Sequence, residues 1–198
     1  MSVASARGTF WVIMPPMRTA SVTTWHLELT SFQGLRAARF PTEPCVVARL
    51  EPPQPAFSRF LYASVGADWW WIDRLPWTLA DWRRHLERPE VATWVLYVGG
   101  GPAGYVELER QSEGSVELLY FGLLPGFSGR GFGGHLLTVG VEEAFALGAR
   151  RVWVHTCSLD GPGALPNYQA RGFSVFKVVT HEQALPEARL ELWPGAGR

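Results

Sequence analysis

Lysine is almost absent from this chain. Lys177 is the only one beside 17 arginines, and it lies outside any glycine-rich turn. A P-loop needs a Gly-Lys-Ser/Thr step to hold phosphates, so that fold is excluded. An excess of one charge is also lacking. The 18 basic and 18 acidic residues give a formal net charge of zero, which leaves no electrostatic footprint for nucleic acid. Only two cysteines occur, Cys45 and Cys157, too few for a disulfide framework, and they are expected as reduced thiols of a cytoplasmic protein. No apolar run approaches the roughly 18 residues of a membrane span, so no membrane partner is expected. Internal repeats, low-complexity linkers and clusters with metal-ligand spacing are missing too, and no metal is expected. Residues 1–20 hold one short hydrophobic patch, Phe10 to Met14, without a small-residue cleavage pattern. They are read as a disordered leader or a mis-assigned start, and residues 21–198 as one domain of ordinary size.

Glycine, by contrast, is concentrated where it carries chemistry. Gly129, Gly131, Gly133 and Gly134 sit with Arg130 between an apolar run, Val116 to Leu124, and an amphipathic one, Leu136 to Leu147. Such a segment reads as strand, turn and helix. The first N–H groups of a helix are unpaired and partly positive, and glycines let that backbone close on an anion. A phosphate-bearing ligand is the expectation. Gly129, Gly131 and Gly134 also satisfy the dinucleotide pattern G-x-G-x-x-G. That fold wants an acidic residue at the end of the next strand. The next strand, Arg151 to His155, ends without one, and about 65 residues remain after the motif, too few for a doubly wound sheet.

Periodicity and turn chemistry give the element order. Thr24 to Leu29 alternates as a strand, with Trp25, Leu27 and Leu29 opposite His26 and Glu28, and Cys45 to Leu50 is a second. Ala56 to Val65 has helical spacing. Thr78 to Leu86 is a helix with Thr78 as N-cap and Asp81 at its third position. Thr93 to Val98 and Ala103 to Leu108 form a hairpin, followed by a turn at Gln111 to Gly114 and the strand Val116 to Leu124. The helix Gly133 to Leu147 ends at Gly148, a suitable C-cap. A strand to Thr156 follows, then a helix from about Ala164 with Pro166 in its first turn, a strand through Val178 and another from Ala188 to Trp193.

This order, with Tyr168 ahead of Gly172-Phe173, resembles the GNAT superfamily of N-acetyltransferases. In that family the first motif reads Arg/Gln-x-x-Gly-x-Gly/Ala; Gly131 and Gly133 fill its glycine positions, and Ser128 replaces the Arg/Gln. The second, Ala-x-x-x-Tyr-x-x-x-Gly-Phe, matches at Ala164, Tyr168, Gly172 and Phe173. Gly161 stands where many relatives carry Asn. The likeness is good over about residues 91–178 and holds only in outline before them. It implies an α/β GNAT fold, a mixed and mostly antiparallel sheet of six to seven strands flanked by helices and splayed at a cleft. Acetyl-CoA, as co-substrate, would lie in that cleft. Its pantetheine would hydrogen-bond the backbone of Leu123 and Leu124, its pyrophosphate the turn Gly129, Arg130, Gly131, Phe132, Gly133 and Gly134, with Ala164 alongside.

Acyl transfer from a thioester to an amine needs a proton acceptor, a donor for the oxyanion and a proton for the leaving thiolate. The resemblance implies Tyr168 as general acid, Glu117 as general base where some members carry one, and the Leu123 N–H as the carbonyl's donor. Glu117 can equally be a cross-strand partner of Glu107 and Glu109. His155 and Cys157 are read as cleft-lining rather than nucleophilic, and Asp160 as a turn residue. Most of the aromatic block from Phe60 to Trp82 is expected to fill core, with Tyr62, Trp70 and Asp73 as acceptor-site residues. The expected activity is transfer of acetyl from acetyl-CoA to a primary amine of a small molecule or peptide in a ternary complex. The alternative is a catalytically weak acyl-CoA-binding sensor or interaction module. A homodimer is expected only by analogy with such folds.

Overall fold

A computed structural model describes residues 17–188. Residues 189–193 of the expected strand Ala188 to Trp193, and residues 1–16 of the expected leader, lie outside the described residues. Seven strands form one open sheet in the order β2-β3-β4-β5-β6-β1-β7. They are β1 Met17–Leu29, β2 Cys45–Arg49, β3 Val91–Val98, β4 Gly101–Arg110, β5 Ser115–Leu123, β6 Arg151–Cys157 and β7 Ser174–Pro186. Four helices flank it: α1 Pro55–Gly66, α2 Leu79–Leu86, α3 Phe132–Ala146 and α4 Ala164–Ala170. Every neighbouring pair is antiparallel except β5 with β6.

Local chemistry accounts for most boundaries. Thr78 caps α2 through a reciprocal pair: the Asp81 N–H donates to Thr78 Oγ1 at 3.2 Å and the Thr78 N–H to Asp81 Oδ2 at 2.9 Å. Pro166 falls in the first turn of α4, where its missing N–H costs no helical bond. Two strand boundaries differ most from the sequence reading: β7, expected only through Val178, runs on to Pro186, and β1 starts earlier than expected. Strand β1 begins at Met17, so Met17 to Ala20, expected outside the fold, belong to the sheet. Their pairing with Pro186 to Gln183 of β7 holds them there, not any alternation of their own.

The sheet separates two apolar layers. Under α3 and α4, Leu27, Leu96, Val106, Leu108, Leu118, Val152 and Val154 meet Phe132, Leu136, Leu137, Val141 and Tyr168. On the other face α1 and α2 cover β3, β4 and β5 through Leu61, Val65, Tyr62, Trp82 and Leu86. Beyond β5 that face carries partly exposed rings, Trp153 and His155 of β6, His26 of β1 and Phe176 of β7.

The feature that makes a site is a fork. Strands β5 and β6 pair only at Ser115 to Glu117 with Arg151 to Trp153, yet β5 continues to Leu123 and β6 to Cys157. A bulge bends β5 just past that point: Leu108 faces Leu118 and Glu107 faces Tyr120, so Leu119 has no opposite number. Below the bulge β5 is tied to β6, and above it the strands part.

Candidate active site

Leu123 and Leu124 lie on one arm of the fork. Leu124 donates its N–H to Ala103 O at 2.9 Å and its carbonyl accepts from the Phe127 N–H at 3.3 Å. Its N–H is therefore committed to β4, which leaves Leu124 no backbone donor for a cofactor, while its carbonyl keeps a second lone pair. Successive strand residues point their N–H groups to opposite sides. With Leu124 turned to β4, Leu123 and, two residues back, Phe121 turn theirs to the gap. The expected donor Leu123 is thus placed at the cleft.

The glycine turn closes the top of the fork. Gly129 and Gly131 have φ of 76° and 85°, and Gly131 is the N-cap of α3. No side chain caps that helix. A Cβ on either glycine would meet nothing within 4 Å, so the space in front of the turn is open. Gly133 and Gly134 are backed by α4: Asn167 Nδ2 donates to Gly133 O at 3.4 Å, and a Cβ on Gly134 would lie 2.6 Å from Arg171 Nη1. Phe132 is fully buried as the helix's anchor. Arg130 turns back: it donates to Gly126 O at 3.2 Å, pairs with Glu43, and lies over the Phe127 and Phe132 rings. Ala164 begins α4 with its N–H on Gly161 O at 2.9 Å.

Tyr168 stands between α4 and the gap, its ring 5.9 Å from that of Phe121 and 6.0 Å from that of Phe173. Burial, with a smaller push from Asp160, raises its phenol far above the ordinary tyrosine range, so it keeps its proton at neutral pH. Glu117 occupies the apex of the fork, at the last β5–β6 pair. Its side chain is 8% exposed. Burial pushes its carboxyl up to about 7, while the hydrogen bond from Gln111 pulls the other way and Glu109 adds to the rise. Gln111 Nε2 donates to Glu117 Oε2 at 2.8 Å, and Trp153 Nε1 donates to Gln111 Oε1 at 2.9 Å. Oε1 faces His155 Nε2 at 3.8 Å. The sequence reading missed Gln111: a single glutamine in a turn carries no motif. Asp160 holds the turn after β6 by accepting from Thr156 Oγ1 at 2.6 Å and the Cys157 N–H at 2.8 Å.

The α1–α2 loop, residues 67–78, is pinned from beneath. Arg74 Nη1 donates to Glu107 Oε1 at 2.8 Å, and His85 Nε2 lies 2.9 Å from the same oxygen. The Arg74 guanidinium is sandwiched by the rings of Trp77 at 4.6 Å and Tyr120 at 4.3 Å. Trp71 fits because Gly66 has no side chain: a Cβ there would sit 2.3 Å from Trp71 Cβ. The loop then reaches across the gap. Trp69 lies on Gly161, where a Cβ would come within 3.2 Å of its ring. Of the three expected acceptor residues, Tyr62 is 1% exposed and packs in the core, its hydroxyl accepting from the Arg74 N–H at 3.1 Å. It supports the loop from below and does not line the open wall. Trp70 adopts φ 60°, strained for a bulky residue, and lies under the Arg18 guanidinium at 5.2 Å. Asp73 is exposed and within electrostatic reach of His155 and Tyr120.

No curated protein sequence matches the chain. Solved structures share the fold. A GCN5-related N-acetyltransferase from Sphaerobacter thermophilus superposes with a TM-score of 0.66 at 18% identity, over 88% of this chain and 55% of the other. One from Kribbella flavida gives 0.59 at 18%, over 87% and 61%. This chain thus spans little more than half the length of the first and about three-fifths of the second. AAC(6')-Iy, solved with the bisubstrate analog CoA-S-monomethyl-acetylneamine, gives 0.52 at 19%, over 67% and 92%. The acetyltransferase (GNAT) family model matches residues 56–173, from α1 through the glycine turn to Phe173, and the chain therefore belongs to the GNAT family of acyltransferases.

Proposed function

We propose that this chain is a cytoplasmic, acetyl-CoA-dependent N-acetyltransferase that acts on a primary amine of a small molecule or peptide in a ternary complex. One observation carries the reading: the fork between β5 and β6 has an uncapped glycine turn at its open end and a buried carboxyl at its apex. The family uses acetyl-CoA, and the residues present suit it. Pyrophosphate would meet the amides of Gly129 to Gly134 and the dipole of α3. Pantetheine would add to β5 at Leu123 as a further strand. Cofactor binding would rest on backbone alone unless Arg130 leaves Glu43.

In the reaction the amine gives up a proton that ends on Glu117, whose raised affinity for protons suits a base working near neutral pH. The nitrogen then attacks the thioester carbonyl. Backbone N–H groups on the gap side of β5 take the oxyanion. As the C–S bond breaks, the phenol of Tyr168 protonates the thiolate. Asp73, Trp70 and Trp69 form the wall nearest the acceptor and favour a cationic amine on a hydrophobic or aromatic body.

The test is release of CoA thiol from acetyl-CoA with phenethylamine, tyramine, putrescine and an aminoglycoside. Transfer to at least one, reduced about a hundredfold or more in Tyr168→Phe, is the expected result. Tight acetyl-CoA binding with no transfer to any amine would favour the weak sensor instead.

A further inference from the structure

Glu117 has a neighbour that the reaction above leaves idle. His155 lies two residues past Trp153, the last residue of β6 paired to β5, on the same face as Glu117. Because the strands are parallel and part beyond that pair, His155 stands further into the fork than Glu117 does. The exposures match this order, with the Glu117 side chain 8% exposed and that of His155 51%. A substrate entering the fork meets the ring before the carboxyl. Glu117 is held back from it, since Oε2 accepts from Gln111, itself held by Trp153. Oε1 points at His155 Nε2 across 3.8 Å.

We propose that His155 and Glu117 form a proton-sharing pair in which the His155 ring meets the acceptor amine and Glu117 is its buried partner. The inference rests on the acetyltransferase reading. In the neutral ring Nε2–H faces Glu117 Oε1, and Nδ1 is the nitrogen left for the substrate. The half-exposed ring first closes the 3.8 Å gap to hydrogen-bond distance of Oε1; the ammonium group then passes one proton to Nδ1 while Nε2–H passes to the carboxylate, so the pair takes up one proton and the ring stays neutral. The free amine forms the C–N bond and the C–S bond breaks. The second N–H proton leaves with collapse, the thiolate gains one from Tyr168, and one net proton reaches solvent. Gln111 and Trp153 are positioning residues in this scheme.

The charged groups around the ring fit a neutral, basic imidazole. Asp160 from the turn after β6 and Asp73 from the α1–α2 loop raise its proton affinity, while burial, the larger effect, lowers it. His26 of β1 lies beside it in a tilted pair with ring centroids 6.0 Å apart, and burial, His155 and Lys177 of β7 lower its proton affinity. Arg151, further back on β6, is committed to Glu28 at 2.6 Å.

The experiment compares wild type, His155→Ala and Glu117→Gln in CoA release over pH, using whichever amine of the four named above reacts, with and without imidazole in the buffer. Calorimetric titration with CoA serves as the check on folding. The pair predicts that His155→Ala binds CoA normally, loses about a hundredfold or more in kcat/KM, and regains activity when imidazole is added. Glu117→Gln moves the acid limb to lower pH, because the remaining ring is the weaker proton acceptor. Near-normal turnover in His155→Ala overturns the proposal, as does a loss that imidazole fails to restore. If wild type transfers acetyl to no amine, the enzyme reading itself falls; wild-type turnover with an active His155→Ala removes only the pair.

Discussion

Glu117 and Glu107 lie on adjacent strands of one face, and their surroundings drive them apart. Glu107 is 1% exposed, yet His85 and Arg74 hold its carboxyl below the usual carboxylate range against the cost of burial. Glu117 has an amide rather than a cation at its oxygen, and burial wins. Two predictions follow from that difference. Removing the cation in Arg74→Ala leaves the buried Glu107 carboxylate with His85 as its remaining hydrogen-bond partner and should destabilise the fold by about 3 kcal/mol in urea denaturation. For Glu117 the sign is reversed. Its folded pKa, about 7 against 4.5, means that the native state binds the proton more tightly, so its contribution is favourable at low pH and lost as pH rises through 7. Glu117→Gln should thus be more stable than wild type at pH 8, by up to about 3 kcal/mol, with the gap closing toward pH 4.5. Equal stability of the two proteins at pH 8 would mean that the carboxyl is not strained by burial.

At the scale of elements, the α1–α2 loop is anchored below by Arg74 and Trp71 and rests at its tip on Gly161 through Trp69. Gly161→Asn puts a side chain where that ring lies. It should raise the acceptor KM several-fold and leave the acetyl-CoA Kd unchanged; an unchanged acceptor KM would show that the loop does not shape the acceptor site. Elements specified by local chemistry were legible in the sequence. The capping pair of Thr78 and Asp81, the hairpin turn at Gly99 and Gly100, and the start of α4 at Ala164 each follow from residues within a turn of one another. The first part of β1 was not, since Met17 to Thr23 has no apolar alternation and is strand only by virtue of β7. Tyr62 was misplaced for a related reason: spacing puts it on a helix, but only the fold turns that helix face down onto Trp82 and Tyr120.

For the molecule as a whole, the sheet order places β1 between β6 and β7, bringing the chain's first described strand beside its last. No local pattern encodes such a choice of partner. The glycine turn and Tyr168 were legible because their motifs are compact, whereas the Trp153–Gln111–Glu117–His155 chain joins a turn to two strands and needs the fold to exist. The proposed function depends on the parting of β5 from β6, which opens the gap proposed to take acetyl-CoA and the access to Glu117. Calorimetric titration of the full chain with acetyl-CoA tests it most directly, alongside Gly131→Val, whose side chain is strained at φ 85°. The account predicts one acetyl-CoA site per chain, weakened at least about tenfold by Gly131→Val, a difference of about 1.4 kcal/mol. Absence of binding to the wild-type protein, or identical binding by Gly131→Val, would contradict it.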